Sequence, residues 1–118
     1  MNTSVYLVME PIGIIASDLA MNVQDYDPMA TVLVALSPEA GCVMLEGHVS
    51  VRLAFVHTVP TGFVTTCLAR MLAERGAKVA FTGDSAERND KDALVLHRPF
   101  STDTTAALLQ RALRSETV

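Results

Sequence analysis

A histidine ends an apolar segment at a position where chemistry is expected. Residues 51–57, Val-Arg-Leu-Ala-Phe-Val-His, have the composition of a short buried strand, and His57 is its last residue. A turn containing Pro60 and Gly62 follows. In a parallel α/β sheet, ligands and reacting groups gather at the carboxyl ends of the strands. The side chain at position 57 therefore decides much of what this chain can do.

Other polar side chains follow further apolar runs in the same way. The runs cover residues 4–9, 78–81 and 93–97, and the residues concerned are Glu10, Thr82 and Arg98. A carboxyl group, a hydroxyl group and a guanidinium group are thus predicted near the imidazole at one edge of a sheet. They do not form a set of nucleophile, base and orienting group, and the chain has no glycine-rich phosphate loop. We therefore expect a protein that is not an enzyme.

Apolar strands alternate with helices along the whole chain. Strands are predicted at residues 4–9, 31–35, 51–57, 78–81 and 93–97. Helical spacing or capping signals place helices at residues 12–23, 38–45 and 63–72 and after Ser101, with Gly76 as a C-terminal cap. This alternation in 118 residues predicts one domain, 1–118, built on a single doubly wound, five-stranded parallel sheet of the flavodoxin-like kind.

Composition excludes several classes of partner. The formal net charge is −4, and the basic residues are scattered, which argues against nucleic acid and against an anionic membrane surface. The apolar runs are shorter than the roughly 20 residues that a membrane helix needs. Cys42 and Cys67 have no CxxC spacing, so we expect free thiols buried among apolar residues in a reducing, cytoplasmic compartment.

With this order of elements, the chain resembles the receiver domains of two-component response regulators. Three landmarks carry the resemblance over essentially the whole chain. They are the strand end Leu7-Val8-Met9-Glu10-Pro11, the strand end Ala80-Phe81-Thr82-Gly83 and the segment Val95-Leu96-His97-Arg98-Pro99-Phe100. In the family, these correspond to an acidic pair, a hydroxyl residue that contacts the phosphoryl group, and a strand that ends in Lys-Pro-Phe.

The chain departs from the family at the residues that perform phosphorylation. His57 stands where the family has the aspartate that accepts the phosphoryl group. Of the acidic pair that holds Mg²⁺, Glu10 remains and Pro11 occupies the second position. Arg98 replaces the lysine, and Val95 replaces an aromatic residue often used as a switch.

These departures imply that the usual phosphorylation by aspartate and Mg²⁺ is lost. Mg²⁺ requires hard oxygen ligands, and a neutral imidazole is a poor substitute for a carboxylate. No cofactor is therefore expected. The favoured interpretation is that His57 pairs with Glu10 or a loop carbonyl and fixes the pocket. Two alternatives are a phosphoacceptor role for His57 and a transition-metal site formed by His57, Glu10 and His97.

Without the phosphorylation switch, the fold is left with its recognition surface. The resemblance implies a stand-alone receiver-like protein of a two-component pathway that acts through protein–protein contacts, with a histidine kinase or regulator as partner. A homodimer through the last helix and fifth strand is a further possibility, with a rim that includes Arg88, Lys91, Asp92, Gln110, Arg111 and Arg114. The competing class is an anion or small-ligand sensor that uses Thr82 and Arg98.

Overall fold

Four parallel strands form the sheet in the order β2-β1-β3-β4. They are β1 (Val5–Met9), β2 (Thr31–Ala35), β3 (Leu53–Val56) and β4 (Lys78–Phe81). The computed structural model describes residues 4–57, 66–82, 94–95 and 102–114. The predictions for Arg98, His97, the Ser101 cap and the segment 85–92 lie outside the described residues.

The strand predicted at residues 93–97 is described at two positions. Leu94–Val95, here β5, pairs in parallel with Ala80 and Phe81 at the β4 edge of the sheet. The described residues thus show four strands of four or five residues and this short pairing. A full fifth strand stays a prediction.

The strand order creates a switch point between β1 and β3. The chain leaves β1 to form β2 on one side, then returns past β1 to form β3 on the other. Helices consequently cover both faces: α1 (Gly13–Tyr26) packs with α4 (Thr102–Arg114), and α2 (Pro38–Leu45) packs with α3 (Cys67–Glu74). At such a switch point, adjacent crossovers diverge and leave a crevice beyond the strand ends.

The two faces bury alternate residues of the same strands. In β1, Tyr6 and Val8 pack with the α1 and α4 side of the core, and Leu7 and Met9 pack with the α2 and α3 side. Because both faces of β1 and β3 are covered, all four residues of β3 are buried. This explains the continuous apolar runs in the sequence.

Local capping residues set several of the helix ends. Ser37 Oγ accepts a hydrogen bond from the Ala40 backbone N–H at 3.1 Å, and a proline follows it, as predicted. Gly76 lies just beyond α3 with φ of +73°, which confirms its predicted role as a C-terminal cap. The start of α1 differs from the prediction, because Ile12 is the N-cap and its half-exposed side chain does not join the buried stripe.

Arg75 joins the ends of α2 and α3. Its Nε donates to the carbonyl oxygens of Leu45 at 3.1 Å and His48 at 2.9 Å, and its Nη1 donates to the Met71 carbonyl at 3.0 Å. The side chain therefore satisfies carbonyl groups from the last turns of two helices.

Tyr6 is the largest fully buried side chain and carries a polar end. Its hydroxyl donates to Asp27 Oδ2 at 3.3 Å. Burial, together with the nearby Asp27 carboxylate, raises the pKa of Tyr6 from 10.0 to about 12. The folded protein therefore holds the phenol proton at a pH where the unfolded chain has lost it.

Alkaline pH should therefore destabilise the protein through Tyr6. The pKa of Tyr6 is higher in the folded protein than in the unfolded chain, so the contribution of Tyr6 to the free energy of unfolding is complete below pH 10. This contribution is lost as the pH rises toward about 12. The expected slope is a fall in unfolding free energy of about 1.4 kcal/mol per pH unit in that window. Urea unfolding of the wild type and Tyr6→Phe checks this. The phenylalanine variant should lose the extra slope, whereas Tyr26→Phe should keep it.

Candidate functional site

The register of the sheet brings three predicted site residues together. Met9 pairs with Val56, and Val56 pairs with Phe81, so the next residue on each strand lies in one row. These residues are Glu10, His57 and Thr82. Their backbone N–H groups continue the ladder by donating to Ala35, Met9 and Val56 carbonyls, each at 3.0 Å. The row lies at the carboxyl ends of β1, β3 and β4, beside the switch point.

One oxygen of Glu10 is the centre of this row. Glu10 Oε2 lies 3.2 Å from His57 Nδ1 and accepts a hydrogen bond from Thr82 Oγ1 at 3.4 Å. Glu10 is fully buried and Thr82 is nearly so. A buried carboxyl group costs much less when donors surround it, and these two side chains provide donors. The structure thus shows the contact between His57 and Glu10 that the sequence favoured.

His57 connects this buried row with an apolar cavity. Its side chain is 30% exposed, whereas Glu10 is not exposed at all. A cavity of about 190 Å³ borders it. The other residues that line this cavity are Met9, Pro11, Leu36, Ser37, Pro38, Val56, Thr66 and Leu68. Pro11 is exposed and supplies no side-chain donor or acceptor. Arg98 and the side chain of Val95 lie outside the described residues.

The donor set at these strand ends does not fit Mg²⁺. This ion requires near-octahedral oxygen coordination, usually with one or two carboxylates. Here Glu10 is the one carboxyl group of the row, and its Oε2 already faces an imidazole and a hydroxyl group. Across the part of the chain that the structure describes, no cluster of three or more His, Cys, Asp or Glu side chains could hold a metal ion. We therefore derive no step through a metal.

The chemistry available to these residues is hydrogen bonding. The imidazole and the hydroxyl group face the buried carboxyl group. An incoming phosphate would meet the negative end of Glu10 rather than a free hydroxyl of Thr82. The row therefore favours a fixed polar contact over anion binding.

The prediction of two buried cysteines is wrong. Cys42 is half-buried and Cys67 is exposed. The reason is the start of α3, where Thr66 caps the helix and Leu68 and Leu72 form the buried side. Cys67 therefore points away from the core, although its spacing had placed it on the apolar face. The sequence signal for this helix start is Thr66 as an N-cap residue. Its Oγ1 accepts a hydrogen bond from the Ala69 backbone N–H at 3.1 Å.

The structure describes four helices, α1 to α4. None of them is both long enough and apolar enough to cross a bilayer.

Comparison with known proteins agrees with the topology. No protein-family model and no curated protein sequence matches the chain with significance. Solved structures do match. A response regulator receiver protein from Sinorhizobium medicae has a TM-score of 0.70 at 15% identity, with 97% of each chain covered. The BeF3-activated conformation of SdrG from Pseudomonas melonis has a TM-score of 0.69 at 24% identity, covering 96% of this chain and 98% of that one.

A third match is an orphan response regulator of H. pylori, with a TM-score of 0.69 at 16% identity over 94% of this chain and 97% of the other. This chain has the receiver fold. Identities of this size establish the architecture and leave the activity open. The fold nevertheless places Glu10, His57 and Thr82 at the strand ends where the sequence analysis predicted them.

Removing the His57 side chain should destabilise the fold through Glu10. In His57→Ala, the buried carboxyl group loses a donor, which should lower the unfolding free energy by about 1–3 kcal/mol. The matched control is His48→Ala, since His48 is half-buried but lies before β3, far from the row. Chemical denaturation measures both.

A double-mutant cycle then isolates the pair. Glu10→Gln and His57→Ala should couple by about 1 kcal/mol or more, because each substitution removes the same contact. Additive effects, or equal costs for His57→Ala and His48→Ala, would contradict the interaction.

Proposed function

We propose that this protein is a receiver-like module of a two-component signalling pathway that is not phosphorylated by the aspartate and Mg²⁺ mechanism. It acts through protein–protein contacts and is not an enzyme. The observation that carries the proposal is the contact of His57 Nδ1 with Glu10 Oε2 at 3.2 Å. The position expected to accept a phosphoryl group is thereby held against the remaining acidic residue.

Electrostatics support the loss of phosphoryl transfer. Transfer to a carboxylate needs a cation that neutralises the charge developing on the phosphoryl oxygens. Only one of the acidic pair remains, and it is fully buried and engaged by His57 and Thr82. Pro11 offers no ligand in the second position. The described residues of the row do not lower the barrier to phosphoryl transfer by the metal-assisted route that receiver domains use.

A phosphohistidine at His57 is the alternative that has an observation in its favour. The Nδ1 contact with Glu10 orients the ring, and the side chain is 30% exposed beside a cavity. Histidine is a competent nucleophile. Among the described residues of the row and the cavity, no Lys or Arg supplies a cation for the transferring group.

Incubation with acetyl phosphate and Mg²⁺ tests the proposal directly. Intact mass spectrometry of the wild type should show no phosphoryl adduct, because the acceptor carboxylate and most of the metal ligands are absent. A receiver domain with an intact acidic site, treated in parallel, shows that the reagent is active.

A stoichiometric adduct on the wild type would refute the proposal. If His57→Gln abolished such an adduct, the phosphohistidine alternative would replace it. If the adduct persisted in that variant, another residue would be the acceptor.

The anion-sensor alternative predicts a ligand-dependent gain in stability. Binding of phosphate to the folded state would raise Tm with phosphate concentration, and Arg98→Ala would abolish the rise. Our proposal predicts no phosphate-specific rise in the wild type, measured against chloride at equal ionic strength. A saturable rise that disappears in Arg98→Ala would favour the sensor.

The last helix and fifth strand are the proposed contact surface for a histidine kinase, another regulator or a second copy. Gln110 and Arg111 are exposed on α4, while Leu109, Ala112 and Leu113 are buried against α1 and the sheet. Exposed polar and basic residues beside a buried stripe are typical of an interface rim. Light scattering at increasing concentration distinguishes a homodimer from a monomer that requires another partner.

A further inference from the structure

The close approach of α2 and α3 brings together the two segments that carry the cysteines. Gly41 is buried in α2, and a Cβ atom built there would lie 3.3 Å from Leu68 Cδ1 of α3. The missing side chain therefore lets the two helices pack closely. Cys42 follows Gly41, and Cys67 precedes Leu68, so the thiols lie at the edge of the same contact.

The packing of α2 against α3 affects the Cys42 thiol. Burial raises the pKa of Cys42, and interaction with Cys67 and with the carboxylates of Glu39 and Glu46 adds to the rise. Both cysteines are free thiols, with Cys42 half-buried and Cys67 exposed.

Cys67 is the thiol that a dissolved oxidant can reach. It is the first residue of α3 after the Thr66 cap. The guanidinium group of Arg70, one turn later, has Nη2 at 3.9 Å from Cys67 Sγ and places a positive charge beside the sulfur. At Cys42, burial and the carboxylates of Glu39 and Glu46 raise the pKa of the thiol instead.

We propose that Cys42 and Cys67 form a peroxide-sensitive dithiol, in which Cys67 is oxidised first and Cys42 converts it to an intramolecular disulfide. This inference does not rest on the proposed signalling role. It assigns a redox modification site to the contact between α2 and α3.

The chemistry needs hydrogen peroxide as the oxidant and balances in two steps. Cys67 sulfur attacks one peroxide oxygen, the O–O bond breaks, and a sulfenic acid and one water form. Cys42 sulfur then attacks Cys67 sulfur, the S–O bond breaks, and the second water leaves as the disulfide forms. The two sulfurs together lose two electrons to one peroxide, and the thiol protons leave in the waters.

The disulfide would act next to the strand-end row. Thr66 and Leu68, on either side of Cys67, line the cavity that borders His57. A covalent bond from α2 to α3 fixes one wall of this cavity relative to the other. It also closes the chain between residues 42 and 67, which restricts the unfolded state.

Peroxide titration of the full chain tests this site. The protein is treated with stoichiometric hydrogen peroxide, quenched with iodoacetamide, and examined by intact mass and peptide mapping. The wild type should lose both free thiols, gain a Cys42–Cys67 linked peptide in the monomer, and recover both thiols with dithiothreitol. Its Tm should rise on oxidation and return on reduction.

Variants separate the roles of the two sulfurs. Cys42→Ser should accumulate a dimedone-reactive sulfenic acid on Cys67, whereas Cys67→Ser should leave Cys42 largely alkylatable under the same treatment. Arg70→Ala should slow oxidation of Cys67 several-fold, with Arg52→Ala as the control for loss of a surface charge. Circular dichroism checks that the variants fold.

Three results would overturn the proposal, and the first two need only the wild type. They are full alkylation of both cysteines after peroxide treatment, a disulfide between two chains instead of within one, and equal oxidation rates at Cys42 and Cys67 in the two serine variants.

Discussion

The in-register pairing of β1, β3 and β4 is the constraint on which the rest of the structure depends. Met9, Val56 and Phe81 lie side by side, so the residue after each must fall in one row at the sheet edge. The backbone ladder extends one step into this row. A shift of any strand by one residue would turn its buried side chains to the opposite face and separate the polar residues. Packing of the apolar core therefore fixes the polar contacts.

This constraint explains why a charged residue is tolerated at the centre of the protein. Glu10 is fully buried, and burial of an isolated carboxyl group is costly. The row places an imidazole and a hydroxyl group against the same oxygen. The buried acidic side chain is therefore satisfied by neighbours from two other strands.

Features with a local cause could be predicted from the sequence. The Ser37 cap, the Gly76 turn and the strands up to β4 depend on residue types within a few positions, and the structure contains all of them. The convergence of Glu10, His57 and Thr82 could also be predicted, because it follows from strand ends in a parallel sheet.

Features that depend on packing between helices could not be predicted. Ile12 and Cys67 match an apolar helical spacing, yet both have substantial exposure, since the buried side of each helix is set by what lies beneath it. The neighbouring positions of Cys42 and Cys67 depend on the distance between α2 and α3. Gly41 contributes to the close packing, since a Cβ atom there would lie 3.3 Å from Leu68 Cδ1, but its partner helix cannot be identified from the pattern along the chain.

The three hydrogen bonds from Arg75 to the ends of α2 and α3 have a consequence for cooperativity. One side chain holds both helices at these ends, because releasing either helix leaves donors of the Arg75 guanidinium group without their acceptors. The α2–α3 face should consequently open as one unit during local unfolding, whereas on the opposite face the Tyr6–Asp27 contact depends on the protonation of Tyr6.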